Sequence, residues 1–439
     1  MFLKKNKENE AIVWKNKVYK YKWLLRKYEF WKSEIKSNGI ESGTIAIVEA
    51  DFSPNSIGLL LALIENRCVF VPITSCVSSK RDEYIAIAEA EVLFKIDNND
   101  RVTISNLKYK SNHAIYQKLK KKEHPGLVLF SSGSTGKSKA SVHDITCILE
   151  KFKVRRHRLR TITFLLYDHI GGFNTLFYTL SNAGVIVTVS DRSPDGILEA
   201  VENYRVDLLP TSPTFINLIL WSGAYSRYDI SSLKKVTYGT EPMPMSTLKR
   251  FNNLFPNINM LQTYGLSEIG ILRSKSKSSD SLWVKIGGEG FKTRVVNDML
   301  EIKAKSAMLG YLNASSPFTK DGWFKTGDSV EVDGEYVRIL GRKSEIINVG
   351  GEKVHPQQVE NVILEMDNIA DVTVYSEKNS IIGEMICAKV RLINPDDKKL
   401  VKRRLIKFCS KRLKKYMIPM KVNILQKEQY NIRYKKIRI

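Results

Sequence analysis

The chain has 439 residues, 43% hydrophobic and 10% aromatic, enough to bury two or more packed domains and too much for a disordered or fibrous protein. Its 70 basic and 46 acidic residues leave a net charge of +24, a field that draws polyanions; the cations are spread widely, with no zinc-finger or RNP signature, so no nucleic-acid partner is expected, and a nucleic-acid-binding protein is a remote alternative. The best apolar run, Ile57 to Ile64, is stopped by Glu65, Asn66 and Arg67, the first residues contain no secretory apolar stretch, and the five cysteines are scattered, so a reduced, cytoplasmic protein with no membrane span and no thiolate metal site is expected.

From about residue 43, short apolar runs alternate with longer amphipathic ones. GTIAIVEA reads as a strand, residues 56–66 as a helix, CVFVPI as a strand, 79–90 as a helix and VLFK as a strand. Strand GLVLFSS leads to a Gly/Ser loop and a helix over 144–155. Strand TITFLL, helix 172–182, strand GVIVTVS, a helix after Pro194, strand VDLLP, helix 213–221, strand KKVTYG and a helix near Pro244 continue the rhythm. Repeated βα units predict an α/β fold, with parallel sheets covered by helices and ligands beyond the carboxyl ends of the strands. After about residue 275, short strands between Gly and Asp turns predict a small β-barrel ending near Arg342. A small α+β C-terminal domain follows, with helix 356–366 starting at Pro356 and a very basic helix over 396–413. The expected division is thus 1–342, with α/β subdomains to about 274 and the barrel beyond, and a mobile domain over 343–439.

The chemistry concentrates in Ser131-Ser132-Gly133-Ser134-Thr135-Gly136-Lys137-Ser138-Lys139. Small residues let backbone N–H groups face an anion, hydroxyls add donors and lysines add charge, which is the physical design of a phosphate loop. The Walker A pattern nearly fits, but its first glycine falls on Ser131, so a P-loop kinase or ATPase is a near miss. Further motifs follow in order: Gly239-Thr240-Glu241-Pro242, Thr263-Tyr264-Gly265-Leu266-Ser267-Glu268, Gly310-Tyr311, Gly322-Trp323-Phe324-Lys325-Thr326-Gly327-Asp328, and Gly341-Arg342 with Gly350-Gly351-Glu352-Lys353-Val354-His355-Pro356.

Together these segments resemble, over essentially the whole chain, the adenylate-forming superfamily of acyl-CoA synthetases, peptide-synthetase adenylation domains and luciferases. They match its [ST]SG[ST]TGxPKG, GxEP, TYGxTE, GY, GWxxTGD and GRxxxxIxxGGxKVxPxxVE motifs, with Ser138, Ala140 and Ser267 in place of Pro, Gly and Thr. The resemblance implies ATP-dependent activation of a small carboxylic acid to an acyl-adenylate, then transfer to CoA or to the phosphopantetheine of an acyl carrier protein. Amino-acid activation is the alternative, and a family fold without activity is a further one. By resemblance, residues 131–136 with Lys137 and Lys139 hold the ATP phosphates. Gly239, Thr240 and Glu241 meet the adenine, and Thr263, Tyr264 and Gly265 belong to the same nucleotide site. Glu268 ligates Mg²⁺, a hard cation suited to carboxylate oxygen, and Ser267 donates to a phosphate. Asp328 and Arg342 contact the ribose. Tyr167-Asp168-His169-Ile170-Gly171-Gly172 resembles the PLxHxxG segment, with His169 gating the acyl site; Phe173, Asn174 and Phe215 are candidate lining residues. Counting back three from Arg438 selects Lys435 as the C-terminal catalytic lysine, with Tyr434 where the family has Gly and Lys436 as the other choice of register. The family's small domain rotates about a hinge that falls at Ser344, which removes Lys435 and brings Gly350 and Gly351 toward the thiol tunnel. The basic C-terminal helix is a candidate docking face for an acidic carrier protein.

Overall fold

A computed structural model describes residues 5–132, 137–426 and 429–437. Its first seven-stranded sheet runs in the order 259–262, 235–238, 208–211, 160–162, 185–187, 10–14 and 17–20, parallel except at the last pair. A second runs 310–311, 138–144, 126–132, 69–73, 45–49, 92–96 and 102–106, with a parallel centre and antiparallel flanks.

Successive strand residues point to opposite faces, so each central strand feeds two cores. Ala46 and Val48 enter one apolar cluster and Ile45 and Ile47 another, while Ile12 and Val13 separate in the same way. The shared cluster lies between the two sheets and is filled by helices Tyr21–Ser37, Pro54–Glu65 and Ile170–Ser181. Helices Pro194–Tyr204, Pro213–Ser222 and Met245–Leu254 cover the other face of the first sheet. The first two begin with Pro at the first turn after a serine cap: Ser193 Oγ accepts from Gly196 N and Ser212 Oγ from Phe215 N.

Three expectations change. Strands Glu10–Trp14 and Lys17–Lys20 and helix Tyr21–Ser37 precede the first element read from the sequence, and the first of these strands pairs in parallel with Val185–Val187. The Gly/Ser loop leads into another strand: Gly126–Ser132 pairs antiparallel with Ser138–Asp144, with Ser131 opposite Lys139 and Ser132 opposite Ser138. The expected helix over 144–155 shrinks to Ile145–Leu149 and a 3₁₀ turn over Glu150–Phe152. The buried alternation of Ala140 and Val142 against Val128 favours the ladder over a helix. Finally, the segment expected as a barrel forms a six-stranded antiparallel sheet in the open order 273–276, 284–287, 336–342, 324–333, 299–304 and 291–296. Register shifts at Ser329/Val330 and Met299/Glu301 bend this sheet locally, and among the described residues no ladder joins its first and last strands.

Past a 3₁₀ turn over Lys343–Glu345, residues 347–422 enclose a separate apolar cluster of their own. Its five-stranded sheet carries helices Pro356–Ile363 and Lys398–Ser410. This lobe rests on helix Pro213–Ser222: Asn217 Nδ2 donates to Ala370 O at 2.8 Å, and the Arg391 guanidinium lies 4.3 Å from the centre of the Trp221 ring.

Candidate active site

A cavity of about 210 Å³ opens where the first sheet, the antiparallel sheet and the chain's end meet. Its wall includes Gly239, Glu241, Tyr264, Asp328, Arg342 and Lys435. Strand Lys235–Tyr238 ends at this wall and delivers the Gly239–Glu241 loop, as expected for the carboxyl end of a parallel strand. Gly239 has no room for a side chain, because a Cβ there would lie 2.7 Å from the Thr263 carbonyl oxygen. Thr240 takes a positive φ of 73°, a sparsely populated conformation held at the cavity rim.

Asp328 and Arg342 face each other across neighbouring strands. Arg342 Nε stands 2.8 Å from Asp328 Oδ1 and its Nη1 donates to Thr326 O at 2.7 Å. The Tyr264 hydroxyl donates to Asp328 Oδ2. Burial pushes the Asp328 carboxyl above its ordinary range, and the Arg342 guanidinium pulls it down. Tyr264 is raised well above an ordinary phenol, chiefly by burial and then by the Asp328 charge, so it stays a donor.

The second cluster forms around the Gly/Ser hairpin. Gly310-Tyr311 pairs with Val142 and Ser141, which brings the Tyr311 hydroxyl within 2.8 Å of Glu268 Oε1. Lys139 Nζ lies 5.8 Å from the centre of the Tyr311 ring. Lys137 is exposed. Asn313 accepts from Ala140 N at 3.1 Å and donates to Ser138 O at 2.8 Å, fixing the second limb of the hairpin. Ser138, where the family pattern has Pro, is buried, and Lys80 Nζ lies 3.4 Å from its hydroxyl. Gly133, Ser134, Thr135 and Gly136 lie outside the described residues, as does the side chain of Ser132. Ser267 and Glu268 occupy the turn closed by Ile269 N on Leu266 O. His143, on the hairpin's second limb, is fully buried, and burial depresses its imidazole to about 4. Nothing in the sequence marked it.

His169 caps helix Ile170–Ser181: its Nδ1 accepts from Gly171 N at 3.0 Å. Gly172 lets this helix start against the preceding loop, since a Cβ there would meet Leu166 O at 2.1 Å. His169 also lines a small pocket with Lys435 and Arg433. Burial, then these two cations, holds the imidazole well below its ordinary value, so it is neutral.

The chain's end separates the two candidate lysines. Lys436 Nζ turns to the C-terminal lobe, donating to Val372 O at 2.7 Å, with Asp371 at 3.4 Å and Glu360 at 3.6 Å. Lys435, like Lys436, borders the cavity, and it also lines the pocket beside His169. Burial and the charges of Arg433 and Arg342 lower its ammonium to about 8, against the opposing pull of Glu241. Tyr434 has φ 51°, the left-handed region that Gly enters freely. Tyr434 offsets the strain by packing its ring 4.9 Å from that of Phe215 and 5.5 Å from that of Phe164, and its carbonyl accepts from Ser212 Oγ at 2.8 Å. Phe173 and Phe215 are fully buried core residues. Asn174 Oδ1 accepts from Lys151 Nζ at 2.5 Å.

Glu241 does more than the motif signalled. Its carboxylate accepts from Thr214 N at 2.9 Å and from Lys436 N at 3.2 Å, tying the chain's end to helix Pro213–Ser222. Gly350 and Gly351 form an exposed hairpin tip and do not line the cavity. Among the described residues no cluster of three or more metal-ligating side chains occurs. Glu268, a single carboxylate bonded to Tyr311 beside the hairpin, is of the donor type that Mg²⁺ takes, one or two carboxylates with the rest of the shell from phosphates and water.

The Asp328–Arg342 pair and Lys435 line the cavity, while the hairpin, Tyr311 and Glu268 form a cluster of their own, and the fold that carries both is of the α/β class. The chain matches the AMP-binding enzyme model over residues 3–298 and the AMP-binding enzyme C-terminal domain over 358–430, and it belongs to that family. It is 27% identical over 328 residues to indoleacetate–CoA ligase of Aromatoleum aromaticum, covering 69% of this chain and 63% of the relative. It is 30% identical over 238 residues to acyl-CoA synthetase 7 of Caenorhabditis elegans, covering 50% of this chain and 44% of the relative. The chain thus spans less than two thirds of the length of these curated relatives. The fold matches that of the anthranilate CoA ligase AuaEII in complex with anthranoyl-AMP, with a TM-score of 0.82 at 16% identity over 99% of this chain and 94% of that one. It also matches o-succinylbenzoate CoA synthetase of Bacillus subtilis, with a TM-score of 0.78 at 18% identity over 100% of this chain and 96% of that one. Among the described residues no helix is long and apolar enough to cross a membrane.

Proposed function

We propose that the protein activates a small carboxylic acid with ATP and passes the acyl group to a thiol, CoA or a carrier-protein phosphopantetheine. The observation that carries this reading is Lys435 in the wall of the cavity that also holds Tyr264, Asp328 and Arg342.

The acid's carboxylate attacks the α-phosphorus and pyrophosphate leaves, so negative charge spreads over the phosphates as the bond changes. Lys435, cationic below about pH 8, bridges the acid carboxylate and the phosphate, where a preplaced charge acts without reorganisation. Lys137 and Lys139 with the Gly/Ser hairpin hold the leaving pyrophosphate. Ser267 donates to a phosphate oxygen. Asp328, oriented by Tyr264 and Arg342, accepts from the ribose hydroxyls, and the Gly239–Glu241 loop backs the adenine. Mg²⁺, held by Glu268 and the polyphosphate, supplies charge neutralisation when bound. Neutral His169 borders the acid without adding a charge. Asp168 already has a cation, Arg433 Nη2 at 2.7 Å, which favours an acid without an α-ammonium group over an amino acid.

Residues 343–439 act as the moving domain, hinged at Ser344, so that Lys435 withdraws and the Gly350-Gly351 tip approaches for thiol transfer. The basic helix Lys398–Ser410 is the face an acidic carrier protein would meet. ATP–pyrophosphate exchange with a panel of aliphatic, aryl and amino acids tests the reading. Exchange that depends on a non-amino acid is expected; ATP hydrolysis indifferent to every acid would reject it.

A further inference from the structure

The segment 429–437 crosses from one lobe to the other, and its side-chain ion pairs divide by lobe, while Ser212 and Glu241 also hold its backbone to the large lobe. On one side, the Lys436 side chain is 9% exposed, with Nζ against Glu360, Asp371 and Val372 O of the C-terminal lobe. On the other, Arg433 reaches Asp168, the residue before His169, with Nη2 donating to Oδ2 at 2.7 Å. Asp168 is 6% exposed, and Thr74 Oγ1 also donates to its Oδ2, at 3.0 Å. Its other oxygen, Oδ1, is buried without a partner among the described residues. Lys435 therefore sits between a pin to the large lobe two residues before it and a pin to the small lobe one residue after it. The Arg433 pin has to break whenever the small lobe moves away, whereas the Lys436 pin travels with it.

The geometry points to Arg433, through its bond to Asp168, as a positioning residue that holds Lys435 in the cavity for acid activation and lets go for thiol transfer. This rests on the proposed function above. Charged hydrogen bonds in a water-poor pocket are the strong ones, and a small misplacement of a reacting charge is costly. Losing Arg433 therefore weakens the first half-reaction without touching the second.

The test compares wild type, Arg433→Gln, Arg433→Lys and Asp168→Asn. Hydrogen–deuterium exchange of the ligand-free protein follows the peptide carrying the Lys436 amide, which bonds Glu241 across the lobes. Arg433→Gln and Asp168→Asn are expected to speed its exchange about tenfold. Arg433→Lys restores most of the protection, because a single N–H···O contact asks only for a cation. With an acid from the exchange panel, kcat/KM for adenylate formation falls about tenfold or more in Arg433→Gln, and transfer from supplied acyl-adenylate to CoA changes less than about twofold. Unchanged amide exchange, or equal loss of both half-reactions, overturns the inference. Failure of the wild type to use any acid would instead strike the proposed function, and the amide exchange would still decide whether the pin exists.

Discussion

At the scale of single residues, the two adjacent lysines make the sharpest case. Spacing selected Lys435 but left Lys436 open, because Tyr434 hid the register. In the folded chain both lysines border the cavity, but the Lys436 ammonium lies beside Glu360 and Asp371, whereas Lys435 also lines the pocket next to His169. Lys435→Ala is expected to abolish adenylate formation while transfer from supplied acyl-adenylate survives; radiolabelled pyrophosphate exchange and a thioester assay separate the two steps. The lowered ammonium also sets a pH limit. Lys435 is charged below about 8 and loses its proton above it, so kcat/KM for adenylate formation should fall as pH rises through about 8. An alkaline limb that stays near pH 10 would show that another group controls it. Tyr264→Phe removes the hydroxyl that orients Asp328, and about a tenfold rise in the KM for ATP is expected, read by initial rates.

Whole elements show where the pattern was readable. The strands at 45–49, 69–73 and 126–132 and the helices at 170–181 and 213–222 were legible from their apolar runs, and the last of them also from its serine cap and N-terminal proline. The hairpin after the Gly/Ser loop was misread as a helix to come. Its second limb, SKASVHD, mixes small and polar residues, and only pairing with the apolar strand beside it makes a ladder. The first 37 residues were passed over because Lys-rich strands and an amphipathic helix carry a weak local signal; the partner that fixes them, Val185–Val187, is remote in sequence. Ser212 joins two elements at once, capping helix Pro213–Ser222 and holding the Tyr434 carbonyl. Ser212→Ala should cost roughly 1–2 kcal/mol in thermal or denaturant unfolding, and should slow adenylate formation more than thiol transfer.

For the molecule as a whole, the contacts between lobes include a helix-to-carbonyl bond, a stacked arginine and the pinned terminal segment. Ser344 lies in an exposed 3₁₀ turn between the two cores, where a proline fits the resting backbone yet resists rotation. Ser344→Pro is expected to slow thiol transfer several-fold while pyrophosphate exchange stays within about twofold of wild type.

The amino-acid sequence alone determined the family, the order of the motifs and the kinds of side chain the chemistry needs, because these reside in short contiguous runs. Only the tertiary structure decided that Lys436 meets Glu360 and Asp371, that Glu241 also holds the terminal segment, that Tyr311 reaches Glu268 and that Asp168 meets Arg433. Those partners are 43 to 265 positions apart in the chain, and a side chain's role at such range depends on how packing brings separate surfaces together, which no local spacing encodes.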